Sequence, residues 1–277
     1  MQISNILVPI DFSKCAKNAL RAAIVIAKKS NAKIIMVNAV HVHSPHPEIT
    51  GGLIEEIVSD YEDQVKQSFQ ELESEIIELK DVPHEADRFI AYLTDAIYTE
   101  TQNKAIDLIV MGTRAEHSEM EHLLGTRASD VIQAIPVPIL VIPESYEGFD
   151  LKKVGLAIEY DSSILFQDFN VLKMLCMAFD AELLAFNVSE DPSKISIEDQ
   201  KLIGKLKDYL VPTNSSVRTV EASSITEGIK GFVSSHELNM LAMIPKKYNF
   251  FERLFKKSVT KAMAVDLDVP LLVIRES

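Results

Sequence analysis

The sequence lacks most features that would take it out of a reducing, aqueous compartment. Its two cysteines, Cys15 and Cys176, lie far apart with no Cys-x-x-Cys spacing, so buried reduced thiols are expected rather than a disulfide framework. Basic residues are in deficit, 28 against 41 acidic, for a net charge of −13. No block of lysine and arginine stands out, which argues against nucleic acid as a partner; the acidity serves solubility. The longest apolar runs, such as "AAIVIA", are far too short to cross a bilayer. No basic stretch followed by an apolar one precedes "NILVPID", so no secretory signal and a cytoplasmic location are expected.

What the chain does have is a repeat. "NILVPID" near the start has a counterpart in "KKVGLAIEYD" from Lys152, and "NAKIIMVNAV" from Asn31 is echoed by "DAELLAFNVS" from Asp180. "IDLIVMGTR" from Ile106 returns as "LNMLAMIPK" from Leu238, and "AIPVPILVIPES" from Ala134 as "DLDVPLLVIRES" from Asp266. Matches in the same order imply two copies of one domain. We therefore expect domains over 1–144 and 150–277, joined through the proline, glycine and acidic residues between Pro143 and Leu151.

Within each copy, short apolar runs alternate with segments of helical period. Ala16, Ala19, Leu20, Ala23, Ile24 and Ala27 follow the spacing of an amphipathic helix, and a long helix is marked from Ile54 to Leu79. Further helices are expected over Ala91–Asn103 and Thr126–Ile135. The runs between them are rich in Val, Ile and Leu and barely alternate, as strands covered on both faces do. Pro83–Phe89 is the strand with the most mixed pattern. The expected fold is α/β: two tandem doubly wound domains, each a five-stranded parallel sheet with helices on both faces.

In such a sheet a ligand sits beyond the carboxyl ends of the strands, where the winding reverses. The first strand ends at Pro9 and Asp11, the second at Asn38 and Ala39, the fourth at Gly112. Gly112 and Gly125 can adopt positive φ and allow close approach of a ligand to the backbone, although ordinary turns would need them equally. Thr126 reads as the N-cap of a helix with Asp130 in its first turn, and the free N–H groups there favour a phosphate. Arg114 and Arg127 offer positive charge, and Asp11 an acceptor for ribose hydroxyls or a base amino group.

These residues resemble the universal stress protein family, whose phosphate signature is Gly, two residues, Gly, nine residues, Gly, then Ser or Thr. The chain carries Gly112, Thr113-Arg114, Ala115, nine residues, Gly125 and Thr126, keeping every spacing with one glycine replaced. "NILVPIDFS" and "PVPILVIPE" match the family's style as well, so the resemblance covers the first copy and, more faintly, the second. It implies a stress-response protein of the tandem kind. One branch of the family binds ATP, with magnesium, in this cleft, while another branch binds no nucleotide and would act as an interaction scaffold. Carried over by position, Pro9, Asp11 and Ala39 would hold the adenosine, and Gly112, Arg114, Ala115, Gly125, Thr126 and Arg127 the phosphates. The departure is Ala115: a left-handed alanine costs about 1–2 kcal/mol, enough to weaken a site roughly tenfold.

Aligned through Pro270, the second copy has Ile244, Lys247 and Lys257 at the three glycine-type positions, with Ser258 at the Thr126 position. Glu159 replaces Asp11, and Ala157 replaces Pro9. Its cleft is expected to be closed to ATP, and Lys246, Lys247, Lys256 and Lys257 to form a solvated basic face. Phe250, Phe251, Leu254 and Phe255 read as a packing stripe. Catalytic signatures are missing: the Gly-Lys-Ser/Thr of a P-loop, a Ser-Gly-Gly loop after the first strand, and Gly-x-Ser-x-Gly. No catalytic residue is assigned, and any ATP hydrolysis or autophosphorylation should be slow and incidental.

The last strand of each copy, "VPILVIP" and "VPLLVIR", is apolar and would lie at a sheet edge that seeks a partner. In the family these strands pair across a two-fold axis, so the copies are expected to form an internal pseudo-dimer. Homodimerisation of the chain stays open through its remaining faces, as does an unidentified protein partner. His41, His43 and His46, with Glu48, could gather round zinc, but no second cluster supports that, and a polar loop is the reading taken; His117 and His122 are read the same way. Protein purified without a histidine tag should carry no stoichiometric zinc by metal analysis.

Overall fold

The computed structural model describes residues 2–41, 51–113, 126–159, 165–244 and 268–275, without the side chains of 51–57, 126 and 194. The first half runs β1 (Asn5–Pro9), α1 (Lys14–Ser30), β2 (Lys33–Ala39), α2 (Gly51–Glu75), β3 (His84–Phe89), α3 (Leu93–Asn103), β4 (Leu108–Thr113), α4 (Thr126–Ala134) and β5 (Ile139–Pro143). The second runs β6 (Lys153–Ala157), α5 (Asn170–Phe179), β7 (Glu182–Ser189), α6 (Ile197–Leu210), β8 (Ser215–Glu221), α7 (Ile225–His236), β9 (Met240–Met243) and β10 (Leu271–Val273). The basic and aromatic residues expected between β9 and β10 lie outside the described residues.

All ten strands form one sheet in the order β3-β2-β1-β4-β5-β10-β9-β6-β7-β8. Pairing is parallel throughout each half, and the halves meet through one antiparallel pair, with Leu271 opposite Val141, Leu272 opposite Leu140 and Val273 opposite Ile139. The expected internal pseudo-dimer is therefore one continuous sheet. The register also fixes the correspondence of the copies. Leu7 pairs with Ile35 and Ile109 as Gly155 pairs with Leu184 and Leu241. Pro9 thus matches Ala157, and Gly112 matches Ile244.

Alternate strand residues feed two cores. Ile6, Val8, Ile34 and Met36 pack with α1 on one face, where Leu172, Leu175 and Leu206 of α5 and α6 continue the layer. Leu7, Ile35, Val37 and Ile109 pack with α3 and α4 on the other, joined by Ile229 and Phe232 of α7. Burial on both faces is why the strands read as unbroken apolar runs. Helix α1 buries the stripe seen in the sequence, starts at Ser13, whose hydroxyl accepts from the Ala16 N–H, and ends at left-handed Asn31. Both cysteines are buried thiols; burial pushes Cys176 up to about 12.

The mixed pattern of β3 has a physical reason. It is an edge strand, and its charged residues are tied down rather than solvated. Glu85 meets Lys33 at 2.5 Å and Lys104 at 2.9 Å, and Lys104 also binds Asp87 at 2.5 Å and Glu100 at 2.7 Å. Burial works against the Lys104 charge, but the bonds from Asp87, Glu100 and Glu85 outweigh it and raise its pKa. Hydrogen bonds from Lys33, then Lys104, lower that of Glu85. Glu100 itself is buried, and Lys104 is its ionic partner. Lys104→Met should cost about 3 kcal/mol in chemical denaturation, because it leaves a buried carboxylate unpaired.

Candidate functional site

The carboxyl ends of β1, β2 and β4 open onto a cleft of about 680 Å³, within the usual size range of small-molecule sites. Its lining includes Pro9, Asp11, Ala39, Gly112 and Arg127 from the sequence expectation. It also includes Ser13, Cys15, His41, Tyr92, Thr94 and Asp130. Thr126 is the first residue of α4 rather than its cap, and with the helix starting there Asp130 falls beyond the first turn; Arg114, Ala115 and Gly125 lie outside the described residues, as do His43, His46, Glu48, His117 and His122.

The β1 exit is built tightly. The Asp11 carboxylate accepts from the Ser13 N–H at 3.1 Å through one oxygen and from Arg127 Nη1 at 3.2 Å through the other. The first bond is an Asx turn that leads into the α1 cap. Between them Phe12 has φ of 61°, a conformation that costs a bulky residue about 1–2 kcal/mol. Its ring is held edge-on against Phe69, 5.1 Å away. The Asp11–Arg127 pair links the β1 exit to the first turn of α4, with both side chains at least half exposed.

Asn38 is a positioning residue that sequence reasoning left without a role. It is buried, its Nδ2 donates to the Ile10 carbonyl at 2.7 Å, and its Oδ1 accepts from the Tyr61 hydroxyl. Burial raises the Tyr61 pKa against the pull of Arg88, so the hydroxyl stays protonated as a donor. Asn187 repeats the bond in the second half, donating to the Ile158 carbonyl at 3.0 Å. The signal was present in the sequence, as the shared asparagine of "MVNAV" and "LAFNVS".

Gly112 departs from expectation. It is extended, paired with Ile142 in β4, and does not take a positive φ. An added Cβ would stand 2.3 Å from the Cys15 carbonyl oxygen, so the first turn of α1 requires the glycine, whatever ligand binds. The second half shows the alternative. Ile244 stands at this position, and α5 has 10 residues against 17 in α1. Both helices end at a left-handed cap, Asn31 and Asp180; α5 continues a 3-10 turn over Phe166–Phe169, and the segment corresponding to Cys15 lies outside the described residues.

The matching cleft of the second half has about 40 Å³, lined by Ala157, Glu159, Phe186, Val188, Ile225 and Ile244 among others. Phe186 occupies the register of Val37 and stacks on Phe232 at 4.0 Å. Apolar side chains thus fill the space that stays open in the first half. Among the described residues, no group of three or more His, Cys, Asp or Glu is placed to hold a metal ion, and no helix is long and apolar enough to cross a membrane.

The sequence profile of the universal stress protein family matches residues 2–143, just over half the chain. The chain belongs to the universal stress protein family. The whole molecule is similar to a universal stress protein from Archaeoglobus fulgidus DSM 4304, with 16% identity, full coverage of both chains and a TM-score of 0.72. It is also similar to a putative universal stress protein from Pseudomonas aeruginosa UCBPP-PA14, with 13% identity, 99% and 94% coverage and a TM-score of 0.62. At these identities the likeness concerns the fold, and it extends that fold over both halves. No match was found among curated proteins.

Two substitutions separate packing from surface charge. Gly112→Val should lose about 1–3 kcal/mol of stability through overpacking against α1. Arg127→Gln should lose less than about 1 kcal/mol, because its ion pair with Asp11 is exposed. Urea unfolding of the two variants beside the parent checks both.

Proposed function

We propose that this universal stress protein is a regulatory binding module whose first half, residues 1–144, takes an adenine nucleotide in the open cleft. The second half, 150–277, serves as a nucleotide-free interaction body. The observation that supports the reading is the contrast between the clefts: about 680 Å³ with Asp11 and Arg127 in its wall, against about 40 Å³ filled by Phe186, Ile225 and Ile244.

The residues suit the parts of such a ligand. Asp11, held by the Ser13 N–H, presents an acceptor to ribose hydroxyls or a base amino group. Pro9 and Ala39 give the small apolar wall that adenosine needs. Arg127 supplies charge at the start of α4, where backbone N–H groups also favour an anion. Magnesium would come with ATP and be held largely by its phosphates and water. No catalytic role is assigned to any residue of the wall, and the reading is of a nucleotide held rather than consumed. Occupancy would then alter association with a protein partner, in the cytoplasm.

Isothermal titration of ATP and AMP, with and without magnesium, tests this reading. One site per chain and a rise in melting temperature with nucleotide are expected. Arg127→Gln should weaken ATP about tenfold, the scale of one lost charged hydrogen bond. No heat and no thermal shift at millimolar nucleotide would reject the reading in favour of a scaffold that uses surfaces alone.

A further inference from the structure

We infer that Tyr92, stacked on His41, is the platform that makes the first cleft selective for a purine base; the inference rests on the nucleotide reading above. Tyr92 holds the N-cap position of α3 with cap-like backbone angles, yet its side chain makes no capping bond. At the matching helix start in the second half, Ser224 does what that position ordinarily asks, and its hydroxyl accepts from the Glu227 N–H at 3.2 Å. The open cleft thus has a tyrosine where the filled one has a capping serine.

The ring is placed rather than loose. It lies parallel to the His41 imidazole, 3.8 Å between centroids and 17° between planes, while Tyr92 stays 57% exposed. Both residues line the cleft that Asp11 and Arg127 also line. His41 follows β2, and Tyr92 follows β3, one strand beyond. At ordinary strand spacing the β3 and β1 ends are about 10 Å apart, the reach of a nucleoside. A ligand with its ribose at Asp11 therefore carries its base toward the ring pair. A two-ring purine covers more of an aromatic face than a one-ring pyrimidine, and a base stacked on a side chain is commonly held about five- to a hundredfold tighter.

The test titrates AMP, CMP and ribose 5-phosphate into the full chain and into Tyr92→Ser and Tyr92→Phe. The parent should bind AMP at least about fivefold more tightly than CMP. Tyr92→Ser should weaken AMP about tenfold, erase the preference over CMP and leave ribose 5-phosphate unchanged. Tyr92→Phe should retain the preference. Serine restores a capping residue, so the variant should melt no lower than the parent, which separates lost stacking from lost fold. The inference is overturned if AMP binds but Tyr92→Ser keeps the AMP-to-CMP ratio, or if the parent shows no preference. If neither ATP nor any of the three binds the parent, the nucleotide reading itself fails and takes the inference with it.

Discussion

The pairing of β5 with β10 is the interaction on which the rest of the molecule depends. Alone, each half would end in an apolar edge strand, and such an edge invites association. Joined antiparallel, the two edges become the middle of one sheet, and Leu140 and Leu272 are completely buried there. Flanking contacts brace the seam. Asn18 Nδ2 donates to the Tyr146 carbonyl, the Tyr146 hydroxyl donates to the Asn239 carbonyl, and the Tyr146, Phe149 and Phe179 rings pack edge-on in turn. Because the seam is antiparallel, the carboxyl ends of the strands in the two halves face opposite ways. Each half must therefore complete its cleft from its own residues.

The halves have done so differently, and the divergence is concentrated at a few register positions. Gly112 admits the first turn of α1, whereas Ile244 stands at its place in the second half, where α5 is entered through a 3-10 turn over Phe166–Phe169. Val37 is a buried core residue of β2, whereas Phe186 at the same register lines the filled cleft and extends through Phe232 to His236 in a stack of rings. The helix position of Phe232 is held in the first half by Glu100, and that of His236 by Lys104. One half secures its third helix with an ion pair and the other with aromatic packing. Asn38 and Asn187 remain alike, since the strand exit needs a fixed carbonyl whether or not a cleft lies above it.

Much of this was legible in the sequence, for definable reasons. Strands buried on both faces leave continuous apolar runs, and the repeat placed four of them twice; "VPILVIP" and "VPLLVIR" marked apolar edges, and the family resemblance supplied their pairing across the seam. The charges of β3 blurred its pattern because their partners, Lys33 and Lys104, come from other elements. In the site, Asp11 and Gly112 could be found by spacing, but the reason for Gly112 could not. Its neighbour is the carbonyl of Cys15, nearly a hundred positions earlier, and only folding brings the two together. The positive φ of Phe12 likewise has no sequence signal, because phenylalanine is among the residues least suited to it. Tyr92 was unremarkable as a helix-edge aromatic until its ring was seen against His41.

The unequal clefts on an otherwise near-symmetric frame bear on how such a chain answers changing ligand levels. Two like sites joined through one sheet could couple, sharpening or blunting the response as the first site filled. With one mouth open and its twin packed with side chains, a chain that binds as proposed would be monovalent at these paired positions, and its occupancy there would rise as a simple hyperbola with concentration. Any threshold behaviour would then have to arise between chains. The frame would then keep the continuous sheet of a paired molecule while giving up internal cooperativity.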